Sequence, residues 1–419
     1  MFSDHRQRLS RQLPAGAAAL LTANDIMPTN ADGTMPYHPN VNLYYLTGLQ
    51  EEDAMLALFP GHPDPALREI LFIKRVDQTF VKWLGKRAGK DTAAQISGIR
   101  TVYYTDEFWS VLKKVLPLCS SIYLHTNEHA RSENETQTRE DRLLLSCKQL
   151  YPLHHYERLY PILARQRNAK TAEEAALIRQ AVAITEKGFR RILRTIRPGQ
   201  TGLQVASEMI HEYMQNNTGW ADYEPIVAFG ADTCILHYRA NESTGKDGDL
   251  VLIDAAASWK RYNADLTRTI PLNGRFTPRQ KEHYDAVLRV HKQVMQHVRA
   301  GILIKDLWKI SNSLLLEELV GLGLCTTADI AKHGAQHYLT KHCYHNVSHF
   351  LGLDVHDTGY YDEPMPVGAV ITNEPGIYNE AEGIGVRIEN NLLVTENGCE
   401  DLMATIPREA AEIEELMNI

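Results

Sequence analysis

Residues 383–395 of this chain read GIGVRIENNLLVT, in which apolar Val386 and Ile388 alternate with ionisable Arg387 and Glu389. A period of two places successive side chains on opposite faces of a strand, so the segment predicts one apolar and one charged face. Three further strand candidates, DYEPIVAFG, LVLIDAAASW and AVITNEPGIY, precede it. In these, Leu252 and Asp254 point the same way, as do Thr372 and Glu374. A sheet with helices on one side and a charged, concave other side is expected.

The helices announce themselves by their caps. Thr171 and Glu174 have the spacing at which a hydroxyl and a carboxylate cap each other's backbone N–H groups. Ile178, Val182, Thr185, Phe189, Ile192 and Ile196 follow as one stripe until Pro198-Gly199. A second helix starts at Thr201 with Gln204 and carries Leu203, Ala206, Ile210 and Tyr213. A third starts at Thr277, with Pro278 and Gln280, and runs to about Ala300 before Gly301. All three read as amphipathic covers packed on the sheet, which makes residues 166–419 an α+β domain.

Residues 1–165 read as a smaller α/β domain, with NLYYLTGL, DAMLALF and EILFIK as strands and EFWSVLKKVL as a helix. The boundary falls where PLHHYERLYPILARQRNAK loses clean periodicity. A length of 419 residues suits two domains at about 100–200 residues each. Lys plus Arg is 44 against 52 for Asp plus Glu, a net charge of −8 that argues against nucleic acid as a partner. No apolar run approaches the ~20 residues that span a bilayer, so no membrane partner is expected. Arg6, Arg8 and Arg11 precede the run Gly16–Leu21, which reads as a first strand rather than a secretory signal. Cysteines at 119, 147, 234, 325, 343 and 399 form no CxxC pair, which fits reduced thiols in a cytoplasmic protein.

Chemistry concentrates in the second domain. Asp254 and Asp265, eleven residues apart, would by themselves read as a turn and a surface salt bridge. His345, His349 and His356 lie four and seven apart in YHNVSHFLGLDVHDTG, the kind of cluster that binds metal or moves protons. In a helix, the spacing of four would set His345 and His349 on one face. Glu374 and Glu389 each sit at or near a strand end. Four acids and one neutral imidazole carry −4, and two divalent cations cancel it. Without metal, each acid pair at ~4 Å would repel by about 4 kcal/mol at an effective dielectric of about 20. A dinuclear centre is the simplest reading, and oxygen-rich ligands favour Mn, Co, Fe or Zn.

In order, LIDAAASWKRYNADLTRT, HNVSHFLGLDVHD, ITNEPGIY and GIGVRIENN resemble the pita-bread metallopeptidases, specifically the Xaa-Pro aminopeptidase (aminopeptidase P) and prolidase branch. NLYYLTGLQEEDAMLAL and WLGKRAGKDTAAQISGI are similar to the creatinase-like N-terminal domain of that branch. The resemblance implies a pita-bread catalytic domain behind a creatinase-like N-terminal domain that serves oligomer contacts and limits active-site access. It implies Asp254, Asp265, His349, Glu374 and Glu389 as ligands of two divalent ions, most readily Mn2+ with Co2+, Zn2+ or Fe2+ as alternatives. Asp265 and Glu389 would touch both ions. Glu374 would double as general base, and His237 and His356 would steady the scissile carbonyl. His345 and Arg387 would face substrate. Trp83, in VKWLGKR, reads by itself as a half-buried strand aromatic, while the family uses such a residue to close a neighbouring subunit's site in a homodimer or homotetramer.

The activity implied is release of the residue before proline from peptide N-termini. Ser348 resembles the aminopeptidase version where prolidases commonly carry Gly, so dipeptide hydrolysis is the rival reading. A non-catalytic protein-binding relative is more remote, because all five ligand positions are filled. Ala256, Arg261 and Asn346 stand where the family usually has Gly, which bears on loop geometry rather than on the ligand set.

Overall fold

The computed structural model describes residues 1–76 and 78–418, and the chain divides into two compact units, Met1–Gln166 and Arg167–Ile419. The first unit runs α1 (Phe2–Ser10), β1 (Ala17–Thr22), α2 (Val41–Thr47), β2 (Met55–Leu58), β3 (Glu69–Ile73), α3 (Gln78–Leu84), α4 (Lys90–Ser97), β4 (Thr101–Tyr104), α5 (Phe108–Val115), β5 (Ser121–Leu124), α6 (Arg139–Leu150) and β6 (His155–Arg158). Its mixed sheet has the order β4-β3-β2-β1-β5-β6. Strand β1 pairs antiparallel with β2 and parallel with β5, and Phe72, Phe108, Leu112 and Ile122 pack one shared core.

Two expectations fail in this unit. NLYYLTGL is not a strand but α2, because Leu43, Tyr44, Tyr45 and Leu46 are all buried and so leave no periodicity to read. The ends decide: the Asn40 side chain accepts from the Asn42 and Leu43 N–H groups, and Gly48 closes the helix at φ 72°. Trp83 is likewise not a half-buried strand residue. It lies in α3 and is 83% exposed, and Gly85 at φ 83° ends that turn of chain, which is too short to alternate.

Helix α7 (Tyr160–Asn168) carries the chain into the second unit, which continues α8 (Ala172–Thr195), α9 (Gly202–Gln215), β7 (Ile226–Phe229), β8 (Leu250–Asp254), β9 (Ser258–Trp259), β10 (Tyr262–Asn263), β11 (Thr267–Pro271), α10 (Pro278–Met295), α11 (Ile304–Gly321), α12 (Thr327–His333), α13 (Ala335–His342), β12 (Val370–Asn373), β13 (Gly376–Asn379), β14 (Ile384–Arg387), β15 (Asn390–Val394), β16 (Cys399–Asp401) and α14 (Ala410–Met417). The three expected capping boxes form at Thr171, Thr201 and Thr277. The α8 stripe is buried from Ile178 to Ile192, and its Thr185 hydroxyl accepts the Ala257 N–H. In α9 the buried face is Val205, Ala206, Met209 and Tyr213, so Leu203 is exposed rather than part of the stripe. Helix α10 stops at Met295, short of Ala300.

Instead of one sheet, the strands form short sheets β11-β8-β7, β12-β15-β16, β13-β14 and β10-β9. The physical reason lies in the breaks. Pro375 splits AVITNEPGIY into β12 and β13, and the chain bends again between Arg387 and Asn390, so each half finds a different partner. Glu374 and Glu389 occupy those two bends. The β9–β10 hairpin turns through Lys260 at φ 47° and Arg261 at φ 68°. That is the two-residue turn for which glycine is favoured, so Arg261 stands in a conformation that strains a side chain. Ala256 and Asn346, where the family also has Gly, show no positive φ.

Candidate metal centre

Antiparallel pairing sets Thr267 of β11 opposite Asp254 at the end of β8, and Asp265 lies two residues before that partner. The Thr267 hydroxyl donates to Glu389 Oε2 at 2.6 Å and accepts from Arg387 Nε at 3.0 Å, while the Glu389 N–H bonds the Thr267 carbonyl. The histidine segment is irregular chain with several bends rather than a helix. Helix α13 ends at His342, and His349 is held beside β12 by bonds from its N–H to Thr372 Oγ1 and from the Thr372 N–H to its carbonyl. Glu374 is fixed by its N–H to the Val347 carbonyl, and Thr372 Oγ1 lies 3.3 Å from Glu374 Oε1.

These bonds bring donors together from distant segments. Ligand atoms of Asp265, His349 and Glu389 all lie within 4.8 Å of one another, and all three residues are buried. His349 Nε2 is 3.4 Å from Asp265 Oδ2 and 3.6 Å from Glu374 Oε1. Its Nδ1 faces the Phe350 carbonyl at 2.9 Å, which leaves Nε2 to bind a cation. Asp254 Oδ1 is buried with no hydrogen-bond partner, although Arg387 Nη2 donates to Oδ2 at 2.7 Å. The Tyr223 hydroxyl donates to Asp265 Oδ1 at 2.9 Å.

Charge in this pocket is out of balance. Burial, with Asp265, Glu374 and Asp254 nearby, pushes Glu389 well above the carboxylate range. Burial raises Glu374 to about 7 despite His349 and Arg387, and raises Asp254 to about 6 despite Arg387. The acids draw His349 upward against the opposing effect of its own burial. An orphaned carboxylate oxygen, three more acids and an imidazole nitrogen turned inward fit a divalent cation, which supplies the missing positive charge.

A second set of groups borders the donors. Arg387 Nη1 donates to the Tyr378 hydroxyl at 3.0 Å, and that hydroxyl lies 2.8 Å from His345 Nε2. Arg can only donate, so the single Tyr378 O–H points to His345 Nε2, and His345 carries its proton on Nδ1. Nδ1 faces the Asn346 carbonyl at 3.0 Å and Glu374 Oε2 at 3.5 Å. Burial, with Arg387 beside it, lowers His345 to about 3, so the ring is neutral. Gly376 makes room for this relay: a Cβ there would sit 2.6 Å from the Tyr378 hydroxyl and 3.0 Å from His345 Nε2.

His356 is exposed, with its ring centroid 4.4 Å from that of His349 at an interplanar angle of 88°. The next residue, Asp357, is buried and binds Arg167 Nη2 at 2.5 Å and Lys170 Nζ at 2.9 Å. His237 is exposed in the turn after Cys234 and influences His345 electrostatically. Trp83 belongs to the first unit. Tyr223, Tyr378 and Thr267 join the site without belonging to the acid and histidine motifs of the sequence. A spacing of two links Thr267 to Asp265 and Tyr378 to Gly376, whereas Tyr223 lies in a loop with no such signal.

A carboxylate-rich pocket with one inward imidazole, set among short sheets and capped helices, defines a metal-dependent class of protein. The pattern of Metallopeptidase family M24 matches residues 176–396, and that of the aminopeptidase P N-terminal domain matches residues 2–123. The chain is 34% identical to the Xaa-Pro aminopeptidase of Haemophilus influenzae, covering 100% of this chain and 97% of that protein. It is 33% identical to the Xaa-Pro aminopeptidase of Escherichia coli, covering 99% and 97%. The structure of zinc-substituted E. coli aminopeptidase P in complex with product superimposes with a TM-score of 0.90 at 32% identity, covering 100% of this chain and 97% of that one. The chain belongs to metallopeptidase family M24 and has the α+β fold of that family behind an aminopeptidase P N-terminal domain.

Proposed function

We propose that the protein is an Xaa-Pro aminopeptidase that removes the first residue from peptides with proline in second position. The convergence of Asp265, His349 and Glu389 carries the reading, supported by full-length similarity to proteins of that name. Asp254, Asp265, His349, Glu374 and Glu389 would hold two divalent cations, with Asp265 and Glu389 shared between them and manganese as the first candidate. What such ions supply when bound is a water acidified from about 15.7 toward about 7 and a polarised scissile carbonyl.

The chain's own groups do the rest. Glu374, raised to about 7 by burial, suits a general base that takes a proton from water and returns it to the leaving proline nitrogen. His356 and His237, both exposed, are the groups that would approach a carbonyl oxygen and stabilise the charge that develops there. Neutral His345 and Arg387, joined through Tyr378, present a fixed polar wall to substrate. A proline imide lacks an N–H, so a wall of rings and a guanidinium that asks for none tolerates it.

The first unit would serve contacts in a homodimer or homotetramer, with exposed Trp83 closing a neighbouring copy's site. No helix among the described residues is long and apolar enough to cross a membrane, and the six cysteines are free, which supports a cytoplasmic location. The test is hydrolysis of an Xaa-Pro-Yaa tripeptide against an Xaa-Pro dipeptide, with manganese and after chelation. Faster tripeptide cleavage that needs the metal is expected. A clear dipeptide preference would reassign the protein as a prolidase, and no cleavage in manganese would reassign it as a binding module.

A further inference from the structure

Tyr344 immediately precedes His345, and its hydrogen bond and ring contact go to two other segments of the site rather than to a metal donor. Its ring stacks on Tyr378 with centroids 4.8 Å apart and planes inclined by 22°. Its hydroxyl donates to the Cys234 carbonyl at 2.9 Å. Cys234, Leu252 and Tyr378 form a small buried cluster against which Tyr344 and Leu236 pack.

The placement of Cys234 gives that bond its significance. Residues 230–234 are secured on one side where the Gly385 N–H donates to Thr233 Oγ1 at 2.8 Å. Gly385 has no side chain there, and a Cβ would meet the Thr233 carbonyl oxygen at 2.2 Å. Beyond Cys234 the chain turns outward through exposed Ile235 to His237. Tyr344 therefore tethers the residue from which the His237 turn departs, and it does so from the same backbone that carries His345.

Tyr378 depends on the same ring. Its hydroxyl has to sit between Arg387 Nη1 and His345 Nε2, and an aromatic ring free to tilt loses one of those bonds. Tyr344 covers one face of Tyr378, so the stack opposes a tilt of the ring toward that side, which would cost the relay one of its bonds.

We propose that Tyr344 is a positioning residue that holds Tyr378 between His345 and Arg387 and ties the His237 turn to them, so that it sets substrate binding without contacting the metal donors. The proposal rests on the aminopeptidase reading for its kinetic arm only. Tyr344→Phe removes the bond to Cys234 and keeps the stack, and Tyr344→Leu removes both.

With the manganese-loaded full chain and an Xaa-Pro-Yaa tripeptide, Tyr344→Phe should raise KM about threefold at unchanged kcat, because the untethered His237 turn is less well placed for substrate, an effect no larger than one neutral hydrogen bond. Tyr344→Leu should lower kcat/KM about tenfold with a higher KM, at unchanged metal content. A residue needed only for folding would cut kcat through lost active enzyme and leave KM alone, and that result in both variants would overturn the proposal.

A second readout needs no turnover. In histidine-15N-labelled, zinc-loaded protein, the ring signal assigned to His345 by its loss in His345→Gln should report the Nδ1–H tautomer. In Tyr344→Leu it should shift toward a mixture of tautomers, and an unchanged tautomer would overturn the proposal. If the wild type cleaves no Xaa-Pro peptide, the functional reading fails while this measurement still decides the role of Tyr344.

Discussion

Arg387 donates from Nη2 to one oxygen of Asp254 at 2.7 Å, and the other oxygen of that carboxylate is left buried and unbonded. One guanidinium thus neutralises half of an acid and leaves the other half to a cation. It also reaches Tyr378 through Nη1 and Thr267 through Nε. Arg387→Ala is expected to cost the metal-free protein about 3–5 kcal/mol, the usual result of removing one partner from a buried pair. Denaturant unfolding measures this. Arg387→Lys restores a charge but not three fixed donors, so it should recover stability more than kcat/KM.

Metal removal should abolish peptide cleavage and lower thermal stability together. At free metal 100-fold above Kd, binding adds about 2.7 kcal/mol to folding, which chelation removes. Asp265→Asn and Glu389→Gln should each lower bound metal, measured by elemental analysis of the dialysed protein. Full metal content in both variants would contradict the donor assignment.

Gly376 separates packing from stability. A methyl group there would lie 2.6 Å from the Tyr378 hydroxyl, inside the space used by its bond to His345. The backbone at Gly376 is not left-handed, so Gly376→Ala carries no dihedral strain. Loss of kcat/KM of about 10²-fold is expected from displaced groups, with a fall in melting temperature no larger than overpacking by about 1–3 kcal/mol produces.

Asp357 supplies the pH dependence. Burial raises its pKa, but Lys170 and Arg167 prevail and hold it below the ordinary range. A carboxylate depressed in the folded state contributes stability above its unfolded value of about 3.9 and loses it as pH falls through the folded value. Asp357→Asn should therefore destabilise by about 3–5 kcal/mol at pH 7. The gap to wild type should stay level from about pH 5 to 8 and narrow below about pH 4. Unfolding midpoints at several pH values check the sign.

Trp83, at 83% exposure, offers a large apolar surface with little to gain within its own unit. Trp83→Ala should leave the fold intact while lowering kcat/KM on tripeptides and longer peptides. Sedimentation of the same variant reads the oligomeric state. Unchanged kinetics on both substrates would remove the closing role from this residue.

Legibility in the sequence followed the kind of signal involved. Helices α8, α9 and α10 were readable because Thr171, Thr201 and Thr277 mark their starts by local hydrogen bonding. Helix α2 was not, because a run buried on all sides carries no period, and only Asn40 and Gly48 distinguish it from a strand. The acids and histidines stood out by residue type and order. What joins them did not: Tyr223 meets Asp265 across 42 residues and Arg387 meets Asp254 across 133, contacts that no local pattern encodes. Leu203 departs from the expected α9 stripe because it lies near a helix start, where an apolar residue can face solvent at modest cost.

The stitching of donor segments to one another sets the order of events in folding. Glu389 is bonded to Thr267, Glu374 to Val347 and His349 to Thr372, so the pocket exists only once strands from across the second unit have docked. An ion arriving earlier finds scattered acids instead of a nest. Metal then works as a latch on the finished domain rather than as a template for building it: it should slow unfolding and leave the folding rate almost untouched.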